Sequence, residues 1–252
     1  MKTLAFMGKG GTGKTVLSAL TAKIAVEKGL KTLVIDADPA TGCAMALGAD
    51  RFVTVGEARL EIIRQASIAK QDETARLSEI IDYLILSALT AVGPINLLVM
   101  GKTETSGCFC SVNNLLRETI SRIADSFDII IIDAEAGIEQ INRQVTKTVN
   151  AAFFVTDNSR RGINTTLLAL KTLKDHTISP PETIGTIFNR VDYPDEELVD
   201  ILKENEMPVI GLVPQDQEVT TRDSMGLPLS KISDTSISMN ALDKIFKKIN
   251  FF

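Results

Sequence analysis

The stretch "KTLAFMGKGGTGKTVLSALTAKIAVEKGL", residues 2–30, decides the fold class. Residues 2–7 are an apolar, strand-like run, and residues 14–28 repeat apolar side chains with the period of a helix. The glycine-rich loop between them matches G-x-x-x-x-G-K-[ST] over residues 8–15. Strand, glycine-rich loop and helix in this order predict an α/β protein with a phosphate-binding loop.

The composition of that loop explains why it would bind phosphate. Glycines let backbone N–H groups turn inward around an anion, and the helix N-terminus adds positive partial charge. Lys14 is expected to reach the β and γ phosphates of a nucleotide, and the Thr15 hydroxyl to ligand Mg²⁺. A glycine-rich turn without nucleotide is the alternative, which the strand and helix on either side disfavour. The predicted nucleotide-binding residues of the loop are Gly8, Lys9, Gly10, Gly11, Thr12, Gly13, Lys14 and Thr15.

The rest of the chain alternates short β-branched runs with helical patterns, which predicts a mostly parallel central sheet with helices on both faces. We find no linker or repeat, so residues 1–252 are predicted to form a single phosphate-loop ATPase domain. Strands are predicted at 2–7, 31–36, 95–100, 127–133, 151–156, 183–189 and 208–213. Helices are predicted at about 14–28, 57–90 (two or three helices), 111–125, 138–148, 162–175, 194–205 and 236–250.

Composition excludes several classes of protein. The net charge is −5, from 27 Lys plus Arg against 32 Asp plus Glu, which argues against a broad basic surface for nucleic acid. The longest apolar runs fall short of a membrane span, and the N-terminal run lacks the regions of a signal peptide. Three cysteines make no disulfide framework. We therefore expect a protein of the reducing cytoplasm without a membrane-spanning segment, and neither nucleic acid nor a membrane is its expected partner.

Lys9, near the start of the loop, indicates which type of phosphate loop this is. The run "KGGTGKT" resembles the deviant phosphate loop of the MinD/ParA group of ATPases, which also contains the nitrogenase iron protein. In that group the early lysine reaches the nucleotide of the other subunit. The resemblance therefore implies ATP as substrate, a homodimer that closes on ATP, and catalytic roles for Lys9 and Lys14.

Further motifs of that group follow in order. "VIDADPA" resembles its first switch and places Asp38 where a carboxylate positions the attacking water. "IIIIDAEAGIE" resembles the second switch, with Asp133 holding Mg²⁺ through water and Glu135 at a commonly small position. "IFNRVD" places Asn189 at the adenine, and "GLVPQDQEV" places Pro214 in the loop that covers the base.

Two of the three cysteines, Cys108 and Cys110, lie in "ETSGCFCSVNNLLRE" just before a predicted helix start at Ser111. Two thiolates rarely satisfy a metal ion, but a two-fold axis near this loop would bring four together. The C-x-C pair and the second-switch region resemble the CooC-type ATPases. That resemblance implies a partner enzyme, carbon monoxide dehydrogenase or acetyl-CoA synthase, whose nickel insertion the protein assists. Tetrahedral Zn²⁺ and planar Ni²⁺ both remain open.

Two other functions remain open. A positioning or partitioning ATPase would bind a membrane or DNA. The C-terminal run "NALDKIFKKINFF" could lie on an anionic membrane, because Leu242, Ile245, Phe246 and Ile249 share one helical face, although an ordinary last helix packs on a sheet in the same way. An ATP-gated electron donor would share an iron–sulfur cluster between subunits, although the second cysteine of the iron protein is missing here. Cys43 is predicted to be a buried small hydrophobe and His176 a solvated residue at a helix end.

Overall fold

The computed structural model describes residues 1–68, 74–102, 110–134, 149–176 and 180–252. Within them, eight strands form one sheet with the order β3-β4-β2-β5-β1-β6-β7-β8. Neighbouring strands are parallel except for the antiparallel pair β3–β4. The strands are β1 (Lys2–Met7), β2 (Thr32–Asp36), β3 (Leu89–Val92), β4 (Ile95–Val99), β5 (Ile129–Asp133), β6 (Ala151–Thr156), β7 (Thr183–Asn189) and β8 (Val209–Val213).

Helices connect these strands and cover the sheet on both faces. In the described residues the α-helices are α1 (Lys14–Glu27), α2 (Gly42–Leu47), α3 (Val55–Ile68), α4 (Thr74–Ala88), α5 (Cys110–Ala124), α6 (Arg160–His176), α7 (Glu196–Glu204), α8 (Gln217–Ser224) and α9 (Ile237–Lys248). A short 3₁₀ turn, Leu229–Lys231, lies between α8 and α9.

Strand alternation divides the core into two apolar layers. In β1, Leu4 and Phe6 face the layer made with α1, α2 and α9, whereas Ala5 and Met7 face the layer made with α3 to α7. The isoleucines of β5 are buried on both faces, as the run "FDIIIIDA" predicts for a central parallel strand. The mostly parallel α/β sheet expected from the sequence is therefore confirmed.

All seven predicted strands are present with shifts of one or two residues at their ends, which is ordinary for strand boundaries. In the described residues, the predicted helical range 57–90 corresponds to two helices, α3 and α4, the first of which begins at Val55. The other predicted helices correspond to α1, α5, α6, α7 and α9, except the one at 138–148, which lies outside the described residues.

The structure corrects the prediction in three places. The helical range was extended too far, because Leu89 and Thr90 belong to β3, which pairs with β4 across the turn at 93–94. The sequence analysis also missed α2 and α8. Both are short, and their termini are set by contacts such as the Asp216 side chain at the start of α8, which a periodicity pattern does not capture.

The apolar face of α9 packs into the core. Leu242, Ile245 and Phe246 are buried there, while Lys247 and Lys248 are exposed on the other side. The face that a membrane-binding function would need is therefore occupied by the sheet and α1. Among the residues that the structure describes, no helix has the length and apolar character required to cross a bilayer.

Candidate nucleotide-binding site

A cavity of about 510 Å³ opens at the carboxyl ends of the central strands. It is lined by the loop after β1, by Asp38 after β2, by Asn189 and Arg190 after β7, and by residues from Pro214 onward after β8. In parallel α/β sheets this edge is where ligands bind. The fold thus brings together residues that the sequence analysis selected from four separate segments.

The loop at 8–15 is held by its own side chains. The Lys9 carbonyl accepts hydrogen bonds from the Thr12 hydroxyl at 2.9 Å and from Lys14 Nζ at 3.2 Å. Lys14 is nearly buried. At the start of the loop, a Cβ on Gly8 would lie only 2.3 Å from the Val155 carbonyl oxygen, so a larger residue would push the loop away from β6.

Two residues at the end of β7 donate hydrogen bonds to carbonyls of the loop at 8–15. Asn189 Nδ2 donates to the Thr12 carbonyl at 2.8 Å, and the guanidinium of Arg190 donates to the Gly11 carbonyl. A Cβ on Gly13 would lie 2.2 Å from Asn189 Nδ2, and the φ of Gly13 is 91°, which L side chains rarely adopt. Glycine at position 13 is therefore required for this contact.

The hydrogen bond of Asn189 fixes the orientation of its amide. Because the Thr12 carbonyl can only accept, the nitrogen must face the loop, which leaves Oδ1 as an acceptor on a residue that lines the cavity. An acceptor at this place suits the exocyclic amine of adenine and disfavours the carbonyl of guanine. Asn189 is buried, so the orientation is protected from solvent.

Thr15 and Asp133 form a pair suited to Mg²⁺. The Thr15 hydroxyl donates to Asp133 Oδ2 at 2.7 Å, whereas the buried Asp133 Oδ1 has no hydrogen-bond partner among the residues that the structure describes. Mg²⁺ prefers oxygen ligands and is commonly held by one or two carboxylates together with substrate phosphates. The hydroxyl and the unpartnered carboxylate oxygen fit that ion.

Asp36, which the sequence analysis did not select, is the buried neighbour of Asp133 in the sheet. Its carboxylate accepts from the backbone N–H groups of Asp38, Cys43 and Ala44, so it fixes the loop after β2 and the start of α2. Burial, with the nearby Asp133 charge, raises the pKa of Asp36 to about 7. Burial likewise raises the pKa of Asp133 to about 6.

Asp38 and Lys9 lie at the rim of the site. The Asp38 carboxylate accepts from the backbone N–H of Ala40 at 2.8 Å and lines the cavity. Lys9 does not line it; its ammonium lies 3.5 Å from Asp157 Oδ2 at the end of β6. Asp216, also missed from the sequence, accepts from Ser236 Oγ at 2.7 Å and thereby joins the start of α9 to the start of α8.

The structure describes little of the cysteine pair. Cys108 lies outside the described residues, and α5 begins at Cys110, one residue earlier than predicted. The part of the chain that the structure describes contains no cluster of three or more His, Cys, Asp or Glu residues that could hold a metal ion. Cys43 is buried, as predicted, and burial raises the pKa of its thiol. His176 is the last residue of α6, which agrees with its predicted place at a helix end.

The sheet is mostly parallel, and a glycine-rich loop that ends in Lys14 and Thr15 lies between β1 and α1. Together with a carboxylate suited to Mg²⁺, these features define a phosphate-loop nucleotide-binding protein. Residues 4–229 match the family model of the CobQ/CobB/MinD/ParA nucleotide binding domain, and the chain belongs to this family. It is an ATPase of the MinD/ParA/CbiA type, and its fold implies ATP and Mg²⁺.

Known proteins are similar along nearly the whole chain. An uncharacterized ATP-binding protein of Methanocaldococcus jannaschii is 34% identical over 250 residues, covering 98% of this chain and 97% of its own. The carbon monoxide dehydrogenase accessory protein CooC of Rhodospirillum rubrum is 26% identical, covering 91% and 90%. The structure of the septum site-determining protein MinD of Pyrococcus horikoshii, complexed with Mg-ADP, has a TM-score of 0.67 at 21% identity, covering 99% and 96%.

Proposed function

We propose that this protein is a homodimeric ATPase that handles nickel during maturation of a carbon monoxide dehydrogenase or an acetyl-CoA synthase. The observation that carries the nickel assignment is the C-x-C pair, Cys108 and Cys110, in a chain similar to CooC over about nine-tenths of its length. ATPases of the MinD/ParA type commonly form dimers, which supports a metal site shared by two copies. Residues 1–252 would then act as one ATPase domain in the cytoplasm.

The nucleotide site supports the following roles. Lys14 and, from the partner copy, Lys9 neutralise charge that develops on the phosphates, and Asp38 orients the attacking water. The water oxygen forms a bond to the γ phosphorus while the bond to the bridging oxygen breaks, which yields ADP and phosphate. Thr15 and Asp133 would hold Mg²⁺, which would supply positive charge to stabilise the phosphates.

Asn189 and Pro214, and not the phosphate loop, would select the base of the nucleotide. Asn189 Nδ2 is turned to the loop, so Oδ1 would accept from the adenine amine, and Pro214, which lines the same cavity, would lie against the base. The backbone of loop 8–15 surrounds the phosphates. This division of roles accounts for ATP rather than GTP as substrate.

The proposed metal step links the cysteine pair to the nucleotide cycle. ATP brings two copies together, and Cys108 and Cys110 from each copy supply four thiolates for Ni²⁺ or Zn²⁺. A helix start favours the thiolate form of a cysteine, and α5 starts at Cys110. Hydrolysis removes the contacts of the γ phosphate, so the dimer relaxes and the metal is released to the client enzyme. ATP should therefore tighten metal binding, and metal should favour the dimer.

An anaerobic Ni²⁺ titration of reduced, metal-free protein tests the proposal. Sulfur-to-nickel charge-transfer absorption and mass by light scattering are followed with and without ATP. We expect saturation at about one Ni²⁺ per dimer, tightened by ATP and lost in the variant with Cys108→Ser and Cys110→Ser. Cys43→Ala is the matched control, since it removes a thiol from the core and should leave nickel binding unchanged.

Two outcomes would redirect the assignment. Nickel binding that survives the double serine substitution would place the metal elsewhere. Brown protein with visible absorption after anaerobic purification would favour the electron donor with a shared iron–sulfur cluster.

A positioning function is the second candidate, because the family includes MinD and ParA proteins and the fold matches MinD. The packing of α9 argues against membrane binding, because its apolar residues Leu242, Ile245 and Phe246 are buried in the core. Sedimentation with anionic liposomes in the presence of ATP tests it, and a variant that ends before α9 is not suitable because it would expose the core. ATP-dependent sedimentation of the full chain would support this candidate.

A further inference from the structure

We propose that Arg190 is a positioning residue for ATP hydrolysis: its guanidinium holds the phosphate loop in the shape that binds polyphosphate before nucleotide arrives. The proposal rests on the nucleotide site described above and is independent of nickel and of the cysteines. Neither the motif at 8–15 nor the resemblance to known ATPases assigned a role to this arginine.

Two consecutive residues at the end of β7 donate hydrogen bonds to two consecutive backbone carbonyls of the phosphate loop. Arg190 donates to the Gly11 carbonyl and Asn189 to the Thr12 carbonyl. No described peptide bond is cis, and across a trans peptide the N–H points opposite to the carbonyl. Drawing these carbonyls toward the end of β7 therefore turns the N–H groups of Thr12 and Gly13 to the opposite side, although the Thr12 N–H also donates a long hydrogen bond of 3.4 Å to the Lys9 carbonyl. Inward-turned N–H groups are what an anion-binding loop requires.

The backbone at Arg190 is arranged for this contact. Its φ is 60°, a left-handed conformation that is uncommon for residues other than glycine and asparagine. The next residue returns to the sheet, since the Val191 N–H donates to the Val213 carbonyl at 3.2 Å. Glycine would adopt this turn with less strain, but glycine could not reach Gly11. The arginine is thus kept in an unfavourable backbone conformation that places its side chain on the loop.

Two simpler explanations must be separated from this one. Arg190 is exposed, and an exposed arginine is often only a solvated surface residue. It also lines the cavity, so it could act on the base or ribose instead of on the loop. The first explanation predicts no effect on binding, and the second predicts an effect only for ligands that carry a nucleoside.

Binding of ADP and of inorganic tripolyphosphate, each with Mg²⁺, distinguishes these explanations by calorimetry. We expect Arg190→Ala to weaken both ligands by the same factor, about tenfold, since it removes one charge-assisted hydrogen bond that shapes the loop. Arg190→Lys should recover part of the affinity. Asn189→Ala should weaken ADP more than tripolyphosphate, because it removes the acceptor for the base as well as a contact to the loop.

Arg190→Gly separates the side chain from the backbone. It should raise thermal stability slightly, because glycine relieves the left-handed strain, and yet lose affinity as Arg190→Ala does. Arg160→Ala is the matched control: it removes an exposed arginine that pairs with Glu197 outside the cavity and should leave both affinities unchanged.

Several results would overturn the proposal. They are unchanged tripolyphosphate affinity in Arg190→Ala, a loss confined to ADP, or full affinity in Arg190→Gly. Wild-type protein that binds ADP but no tripolyphosphate would also contradict it, because the loop would not be preformed. Wild-type protein that binds neither ligand would instead count against the nucleotide site itself, and a failure to bind nickel has no bearing on Arg190.

Discussion

The ammonium of Lys9 lies 3.5 Å from Asp157 Oδ2 within one chain. In the proposed dimer the same lysine reaches the nucleotide of the partner copy, so it must first leave this aspartate. The two side chains are 29% and 35% exposed, and an ion pair of this exposure contributes at most about 1 kcal/mol. We therefore expect Asp157→Asn to lower the ATP concentration for half-maximal dimerisation by up to about fivefold.

Light scattering over an ATP titration measures this effect. Glu196→Gln is the control, because it removes one negative charge from an exposed residue at the start of α7. If Asp157→Asn required more ATP than the wild type, Asp157 would stabilise the dimer instead of the separate chain.

Gly13→Ala should damage the phosphate loop, whereas Gly10→Ala should not disturb the free protein. A Cβ at position 13 meets Asn189 Nδ2 at 2.2 Å and is strained by its φ of 91°, while a Cβ at position 10 meets nothing within 4 Å. We expect Gly13→Ala to lower the free energy of unfolding by about 1–3 kcal/mol and to abolish ADP binding. Urea unfolding of both variants, read by circular dichroism, checks the contrast. Equal stability of the two variants would show that the loop moves freely away from Asn189.

The buried carboxylates Asp36 and Asp133 predict how stability depends on pH. Their pKa values are about 7 and about 6, both above the ordinary aspartate value that applies in the unfolded chain. Between about pH 4 and pH 7 the folded protein therefore binds more protons than the unfolded chain, and its stability falls as pH rises. We expect a loss of about 2–4 kcal/mol between pH 5 and pH 8 from this pair in metal-free protein.

Urea unfolding at several pH values in the presence of EDTA measures that slope. Asp133→Asn should flatten the slope and stabilise the free protein at pH 8, while Mg²⁺-dependent hydrolysis is lost. Asp192→Asn, at an exposed position, should leave the slope as in the wild type. A stability that rises from pH 5 to pH 8 in both wild type and Asp133→Asn would mean that this pair does not control the dependence.

Phe251→Ala should destabilise the protein by about 3 kcal/mol, the usual effect of truncating a buried aromatic residue. Phe251 is 6% exposed, and its ring lies 5.9 Å from that of Phe246 and 6.2 Å from that of Phe153, centroid to centroid. Phe252→Ala is the comparison, because that residue is only partly buried and should cost less. Chemical unfolding distinguishes them; a negligible effect of Phe251→Ala would mean that the C-terminal segment is not part of the core.

Local patterns predicted most of the fold because the sheet is built from consecutive strand and helix units. The β1–loop–α1 unit lies within thirty residues, and its motif identifies both its conformation and its ligand. The apolar run of β5 likewise required no distant information. The prediction was wrong where strand pairing decides the conformation. Leu89 and Thr90 continue a helical pattern in the sequence, but they form a strand because they pair with β4.

The site was harder to predict because its contacts join distant segments. Asn189 meets Thr12 across 177 positions, and only the resemblance to known ATPases indicated that it belonged here. Asp36 was missed because an aspartate at a strand end is commonly just the beginning of a turn, and its three backbone partners become visible only in three dimensions. A doubled aspartate in "VIDAD" was the available signal.

The contact of Lys14 with the Lys9 carbonyl has a consequence for discrimination among anions. An arriving anion must compete with a partner that the chain already provides, so a small ion that offers few acceptors gains little by displacing it. A triphosphate satisfies the ammonium and the inward N–H groups at once. We therefore expect the resting loop to favour a triphosphate over orthophosphate, which is abundant in any cell.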